Sequence, residues 1–431
     1  MRVSFSIWVL LALSAASPAY AQAESAGAAP QICLAASDQK LADLEARKRQ
    51  LERDIVANPN SRKAREELLE VMFRIECARK VEPQAPTEFA RRSVAPRAAP
   101  PPPAEVVEVT TYYATNRKET RGAEPVKVYG NVGDNDLHYG RAVVSVPLNR
   151  PPGTVTLPSL WKLEREADPR KHFILRSVTP LGMDATLKEM GAKLRGISTK
   201  ALLVFVHGYN TTFDEAAMRT AQIAHDLQFP GLAMFYSWPS AGSVVRYWQD
   251  EETARLSEEV FEQVLEDIAK LPASDIYVVG HSMGNRVVGH ALQSQADKGR
   301  TPKNLREVVL AAPDVSVEIF RSRIAPRLAA MRGTRTTIYA SSSDIALKAS
   351  KVVHGFRRVG ETDGEVFTYP GLETVDATNA SSAARAYGHL YIVDSPSVLK
   401  DIRFLIGRKV QAGLRGLSQV GTTPNLYWRL P

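Results

Sequence analysis

The segment "DIYVVGHSMGNRVVGHALQ", Asp275 to Gln293, places one serine between two glycines. A run of β-branched and aromatic residues precedes the serine and a helix-period pattern follows it. A serine at such a strand-to-helix turn can act as a nucleophile. Gly280 and Gly284 leave room for the tight turn, strain in the turn exposes the Oγ of Ser282, and the first N–H groups of the helix point toward developing negative charge. The chemistry this pattern could carry is acyl transfer.

A serine hydroxyl is a weak nucleophile near neutral pH, so it needs a base, and the base needs an orienting acid. The chain has eight histidines. His281 adjoins the serine, but the turn directs its side chain elsewhere. His225 and His290 fall in helix-period segments, while His138 and His172 precede the part of the chain where strands and helices alternate. His207 ends the strand-like run of "VFVHGYNTTF". In that loop the backbone N–H of Tyr209, together with that of Met283 after the serine, could bind an oxyanion. Asn210 reads as the cap of a helix starting near Phe213. His354 and His389 remain as candidate bases. His389, in "RAYGHLYIVD", follows the last strand-like run and could return toward Ser282; His354 precedes that run and is expected on a rim. Two strand-end carboxylates could orient the base, Asp314 in "LAAPDVSV" and Asp344 in "YASSSDIAL". Trp238, in "MFYSWPSAG", could wall an acyl site or pack in the core, and Arg357 and Arg358 read as part of a solvated loop. No clustered Cys/His spacing points to a metal, and acyl transfer of this kind requires no cofactor.

The elements that must position these residues are short apolar runs: "ALLVFVHG", "GLAMFYSW", "DIYVVG", "REVVLAAPD", "RTTIYASSSD" and "LETVDATN". Helix-period segments such as Phe213 to Leu227 and Thr253 to Leu271 separate most of them. Apolar strands alternating with helices predict an α/β fold, a mostly parallel sheet covered on both faces. Upstream, "VEVTTYYATN", "YGRAVVSVPL" and "HFILRSVTPL" predict strands of mixed pairing.

Four units follow from the whole chain. Residues 1–21 carry an arginine, an apolar run from Phe5 to Leu13 and small residues at Ala19 and Ala21, the pattern of a secretory signal cleaved after Ala21 and too short for a membrane span. Residues 22–80 have helical spacing interrupted by "NPN" at Asn58 to Asn60, which predicts a helical hairpin. The two cysteines, Cys33 and Cys77, flank it. Their pairing would close a loop of roughly forty residues and stabilise it by about 3–4 kcal/mol. Residues 81–104 form a proline-rich linker, and residues 105–431 the main domain. With 431 residues, 44% of them hydrophobic, the chain can bury a large core. Its formal net charge of +8 is interleaved with acids, which argues against a nucleic-acid groove. A periplasmic or secreted bacterial protein is expected, with a cell-envelope partner for the hairpin as one use of that unit; no integral membrane protein is expected.

The motifs "VTTYYATNR", "VFVHGYNTTF", "MFYSWPSAG", "GHSMGNRV", "LAAPDV", "YASSSDIAL" and "YGHLY" together resemble the α/β-hydrolase superfamily, and more closely a group of uncharacterised bacterial α/β-hydrolases. The likeness runs from Val106 to Pro431 and leaves out the hairpin and linker. It implies a triad of Ser282, Asp344 and His389, since that fold carries its acid after the later of the two strands, with Asp314 as the runner-up. It also implies hydrolysis of an ester-like bond in a small or medium substrate. The same triad permits acyl transfer to an acceptor other than water, and a non-catalytic envelope interaction protein is the alternative of a different class.

Overall fold

The structure, a computed structural model, describes residues 41–58, positions 61, 63–64, 67–68, 70–72 and 74–75, and residues 106–431 apart from 121, 123, 158–166, 244–245, 381–393 and 409. The expected signal, Cys33, Cys77, the linker and His389 lie outside the described residues.

Eleven strands form one sheet. In chain order they are β1 (Val106–Glu119), β2 (Tyr129–Pro147), β3 (Ile174–Pro180), β4 (Ala201–Val206), β5 (Leu232–Ser237), β6 (Asp275–His281), β7 (Leu305–Ala311), β8 (Arg335–Ala340), β9 (Glu373–Asp376), β10 (Ser418–Val420) and β11 (Tyr427–Arg429). Their spatial order is β10-β11-β9-β8-β7-β6-β4-β5-β1-β2-β3. Pairing is parallel from β1 through β5, β4, β6, β7, β8 and β9 to β11, and antiparallel at both margins, β1–β2–β3 and β10–β11. The mostly parallel sheet expected from the apolar runs is therefore present. The strand-like reading of the amino-terminal part caught only the second half of β2, because "YGNVGDNDLH" carries the turn-forming glycines and aspartates that normally argue against a strand.

The central strands carry consecutive apolar residues through their middles because both faces are covered. Leu202, Val204 and Val206 of β4, Ile276 and Val278 of β6, and Val308 and Leu310 of β7 join one buried cluster. Their neighbours Leu203, Phe205, Tyr277, Val279, Val309 and Ala311 join the other. This is the two-residue alternation of a strand dividing one apolar run between two layers. Helices α2 (Met183–Gly196), α4 (Tyr247–Ala269) and α5 (Gly284–Asp297) cover the first face, together with α6, which runs from Val317–Ile319 through a π turn at Phe320–Ile324 into Ala325–Ala330. Helices α3 (Phe213–Asp226) and α8 (Pro396–Arg408) cover the second. Helix α7 (Ile345–His354) contributes Leu347 to the second cluster and Ala349 to the first.

Nearer the amino terminus, α1 (Leu41–Ala57) buries Leu44 and Leu51 against Leu68, Val71 and Ile75. Arg47 Nε donates to Glu67 Oε1 across this contact at 2.7 Å. Among the described residues no helix is long and apolar enough to cross a membrane.

The strand order reverses between β4 and β6. From β4 the chain moves through α3 to β5 on one side, then through α4 to β6 on the other. At such a switch point the carboxyl ends of neighbouring strands open a crevice between diverging connections. Close helix packing there depends on Gly284: a Cβ on it would lie 2.3 Å from the His207 carbonyl oxygen and 2.8 Å from that of Val206. Backbone carbonyls at the end of a buried strand cannot give way as a flexible side chain can. Gly284→Ala is therefore expected to lower the unfolding free energy by about 1–3 kcal/mol, the range for overpacking. Urea denaturation of the purified chain would measure this, and an unchanged midpoint would contradict the close packing.

Candidate active site

Ser282 occupies the turn between β6 and α5 with φ of +53°, a left-handed conformation that costs a serine energy. Neighbouring groups hold it there. Its N–H donates to the Ala311 carbonyl at 2.9 Å, and its own carbonyl accepts from the N–H groups of Asn285 at 3.1 Å and Asp314 at 3.2 Å. The Asn285 side chain adds two more bonds, its Nδ2 donating to the carbonyls of Ser282 at 3.1 Å and Ala311 at 2.8 Å. Gly280 must be a glycine because a Cβ would meet Asn285 Oδ1 at 2.4 Å. Asn285 was part of the serine motif, yet its spacing from Ser282 by itself gave no sign of this buttressing role.

Facing the elbow is the loop after β4. A Cβ on Gly208 would lie 2.8 Å from the Cβ of Ser282, so the two chain segments meet at van der Waals distance. Tyr209 is thereby beside the elbow. Met283 directly follows Ser282 at the start of α5, where the first N–H groups have no intrahelical acceptor. Asn210 corrects the sequence expectation. It does not cap α3: it takes φ of +53° and donates its N–H to Asp250 Oδ2 at 2.8 Å. The cap is Thr212, in a capping box with Glu215.

Two buried charged groups missed by the sequence reading clamp this loop. The end of β1 runs past its last pairing with β5, Thr115 opposite Ser237, and delivers Arg117 to the carboxyl edge of the sheet. Arg117 is fully buried and donates to the Thr211 carbonyl at 2.7 Å, the Ser240 carbonyl at 3.1 Å and Ser237 Oγ at 2.8 Å. Burial pushes its pKa down to about 10, with Asp250 opposing the shift. Asp250, at the first turns of α4 and also fully buried, accepts from the N–H groups of Asn210 at 2.8 Å and Ala241 at 2.6 Å and from Ser240 Oγ at 2.5 Å. An arginine after a β-rich run and an aspartate in an acidic helix segment both look like surface residues in sequence. Only the fold turns them inward.

His207 and Trp238 sit behind the loop. The His207 ring stacks on the Trp238 indole with centroids 5.0 Å apart, and the indole Nε1–H donates to the His207 carbonyl at 2.8 Å. His207 Nδ1 donates to the Gly208 carbonyl at 2.8 Å, leaving Nε2 to accept from Ser237 Oγ at 3.2 Å. Burial and the nearby Arg117 hold its pKa well below the usual histidine range, so it is neutral. Trp238 is fully buried in this structure. Its indole supports the loop from the core, the packing role that the sequence also allowed.

Asp314 and Asp344 lie at the carboxyl ends of β7 and β8, on the same edge as Ser282, but their surroundings differ. Asp314 is saturated: Oδ1 accepts from Ser350 Oγ at 2.7 Å and faces Arg358 Nε at 3.3 Å, while Oδ2 accepts from the Tyr247 hydroxyl and lies 3.8 Å from Arg286 Nη2. Burial opposes its charge, but Arg358 and Arg286, with His354, outweigh that and hold the carboxyl well below the usual range. It does not cap α6, whose first turn is capped by Ser316. Arg358 therefore does not lie in a solvated loop; it is buried against Asp314, whereas Arg357 is paired with Glu365 near the surface. His354 is also engaged, its Nδ1 donating to the Ser350 carbonyl at 2.8 Å and its Nε2 lying 3.2 Å from Glu251. Burial opposes the charge of Glu251, but His354 and Arg286 prevail and pull its pKa down to about 2. Asp344 is fully buried, and its Oδ1 accepts from the Leu347 N–H at 3.0 Å as the cap of α7. Among the described residues no group of His, Cys, Asp and Glu side chains is arranged to hold a metal.

Residues 183–409 match a family described as an alpha/beta hydrolase of unknown function (DUF900). The chain belongs to this family. The matched stretch runs from α2 to the end of α8 and so includes the loop after β4, the elbow and both candidate acids of this alpha/beta hydrolase. No curated protein is similar enough to it to count as a match. Among solved structures it is similar to the esterase domain of a Rhodothermus marinus protein at 11% identity and a TM-score of 0.27, over 67% of this chain and 95% of that one. A thermostable esterase from Pseudomonas putida ECU1011 matches at 12% identity and a TM-score of 0.29, over 70% of this chain and 81% of that one. Carboxyl esterase 2 from the mycorrhizal fungus Tuber melanosporum matches at 11% identity and a TM-score of 0.29, over 65% and 83%.

The saturation of Asp314 has a measurable consequence. Its carboxyl is depressed in the folded state relative to about 3.9 in the unfolded chain. It therefore contributes stability that is present above about pH 4 and is lost as pH falls through the folded value. Asp314→Asn is expected to cost about 3–5 kcal/mol, because Arg286 and Arg358 lose their shared carboxylate. The variant should also show a shallower loss of stability between about pH 4 and pH 2 than the native chain, read by urea unfolding at each pH.

Proposed function

We propose that this alpha/beta hydrolase is an exported serine hydrolase that cleaves a carboxylic ester through an acyl-enzyme. The observation that carries the reading is Ser282, a non-glycine residue held at φ of +53° between two glycines at the carboxyl edge of the sheet where strand order reverses, with the Gly208 loop against it. Strain of this kind persists only where surrounding structure enforces it, and here it presents a hydroxyl beside helix-start N–H groups.

In this reading Ser282 Oγ attacks the ester carbonyl while His389 takes its proton. The N–H groups of Tyr209 and Met283 receive the oxyanion, His389 returns the proton to the leaving alcohol, and water repeats the sequence to release the acid. Asp344 orients His389 and stabilises the imidazolium. The choice of Asp344 over Asp314 is supported by Asp314's commitments to two arginines, a tyrosine and a serine, which leave it a poor acceptor for an imidazole N–H. No organic cofactor or metal is needed for these steps. Export is supported by the sequence pattern of residues 1–21, and residues 105–431 would form the catalytic unit.

The test is hydrolysis of a chain-length series of chromogenic esters by the chain from Gln22 onward. Ser282→Ala should abolish turnover, and Asp344→Asn should lower kcat by about 10³–10⁴-fold. Asp314→Asn, corrected for folded fraction, should lose less than about tenfold. Equal rates for Ser282→Ala and the native chain would overturn the reading, and equal losses at the two aspartates would overturn the choice of acid.

A further inference from the structure

We infer that Arg117 and Asp250 are positioning residues for the transition state: they lock the loop after β4 so that the Tyr209 N–H points at the oxyanion. The inference rests on the serine-hydrolase reading above and adds to it two residues from outside the elbow and triad.

The backbone around Tyr209 is tied down on both sides. The His207 carbonyl takes the Trp238 indole N–H, and the Gly208 carbonyl takes His207 Nδ1. The Asn210 N–H goes to Asp250, the Thr211 N–H goes to Ser240 Oγ at 3.0 Å, and the Thr211 carbonyl goes to Arg117. Ser240 links the two charges, since its Oγ donates to Asp250 and its carbonyl accepts from Arg117. The residue types are demanding. Asp250 receives three donors and must be an acceptor at both oxygens, which an asparagine cannot be. Arg117 spreads its donors over carbonyls of two different loops, at Thr211 and Ser240, which the point charge of a lysine cannot reproduce.

Burying two full charges costs energy that apolar packing would not. The pair braces a segment that includes a strained Asn210 and touches Ser282 through Gly208. A donor fixed in advance at the place where negative charge develops lowers the barrier to reaction while adding little to ground-state binding. Loosening the clamp should therefore lower kcat and leave KM near its native value.

The experiment compares Arg117→Lys and the milder Ser240→Ala with Tyr139→Phe. That control removes a buried hydrogen bond, Tyr139 to Asp267, at the far end of α4. For each variant, steady-state ester hydrolysis, the pH profile of kcat/KM, inhibition by phenylboronic acid as a tetrahedral mimic, and thermal midpoint are measured. The expected result is a fall of about 10-fold to 100-fold in kcat for Arg117→Lys and a smaller fall for Ser240→Ala. Boronate affinity should weaken in parallel, while KM and the acidic limb of the profile stay in place, because neither residue belongs to the proposed triad. Tyr139→Phe should keep native kcat. Native kcat and boronate affinity in both clamp variants would overturn the inference, as would losses matched by Tyr139→Phe at equal thermal shift. A native chain whose ester turnover is absent or survives Ser282→Ala would instead overturn the hydrolase reading, and the inference with it.

Discussion

A serine held with positive φ between a parallel strand and a helix is the constraint on which the rest of this structure depends. That conformation is unfavourable for any residue with a Cβ, so the surroundings must make the alternatives worse. The Ala311 carbonyl takes the Ser282 N–H, Asn285 and Asp314 hold its carbonyl, and the side-chain amide of Asn285 ties the turn to the next strand. The same constraint dictates the glycines. Gly280, Gly284 and Gly208 each sit where a Cβ would strike Asn285, a β4 carbonyl or Ser282 itself. Three glycines, one on β6, one opening α5 and one in the loop after β4, thus serve one turn.

Around the turn the protein places two buried polar groups of opposite design. On the β4 side, Arg117 and Asp250 spend most of their hydrogen bonds on backbone, so their effect is to hold a loop still. On the β7 side, Asp314 accepts hydrogen bonds from the side chains of Tyr247 and Ser350 and is ion-paired with Arg286 and Arg358, and it joins the end of β7 to α4, α5 and α7. Arg117, Asp250, Asp314 and Arg358 are all buried, and removing any of them would leave polar groups without partners in a medium that stabilises charge poorly. The carboxyl edge of the sheet is therefore rigid at the positions flanking Ser282. A scaffold for oriented chemistry needs that rigidity more than it needs added stability.

The fold itself is common to many reactions, and the family to which the chain belongs is defined without an assigned substrate. The local features of this chain are an arginine that β1 carries past its last pairing with β5 to the loop after β4, and an indole that backs the same loop from the core. These features hold the loop after β4 against Ser282, and they do not choose a substrate.

The sequence by itself determined the parallel core and the elbow. Short, largely apolar runs alternating with helix-period segments point to strands covered on both faces, and glycines spaced about a serine at a strand end point to a tight turn into a helix. It also brought out both candidate acids, since each aspartate directly follows such a run. Only the tertiary structure decided between environments. Asp314 and Asp344 look alike in sequence, but the partners of Asp314 come from α4, α5, α7 and the segment around Arg358, all distant along the chain. Arg358 reads as part of a solvated loop, and Arg117 and Asp250 are not singled out, because nothing local marks a charged residue as buried; that depends on which elements the topology brings against it. Trp238 and Asn210 were misplaced or left open for the same reason. Local pattern reports which way a chain can run, and the packing of remote segments decides which polar groups must find partners inside.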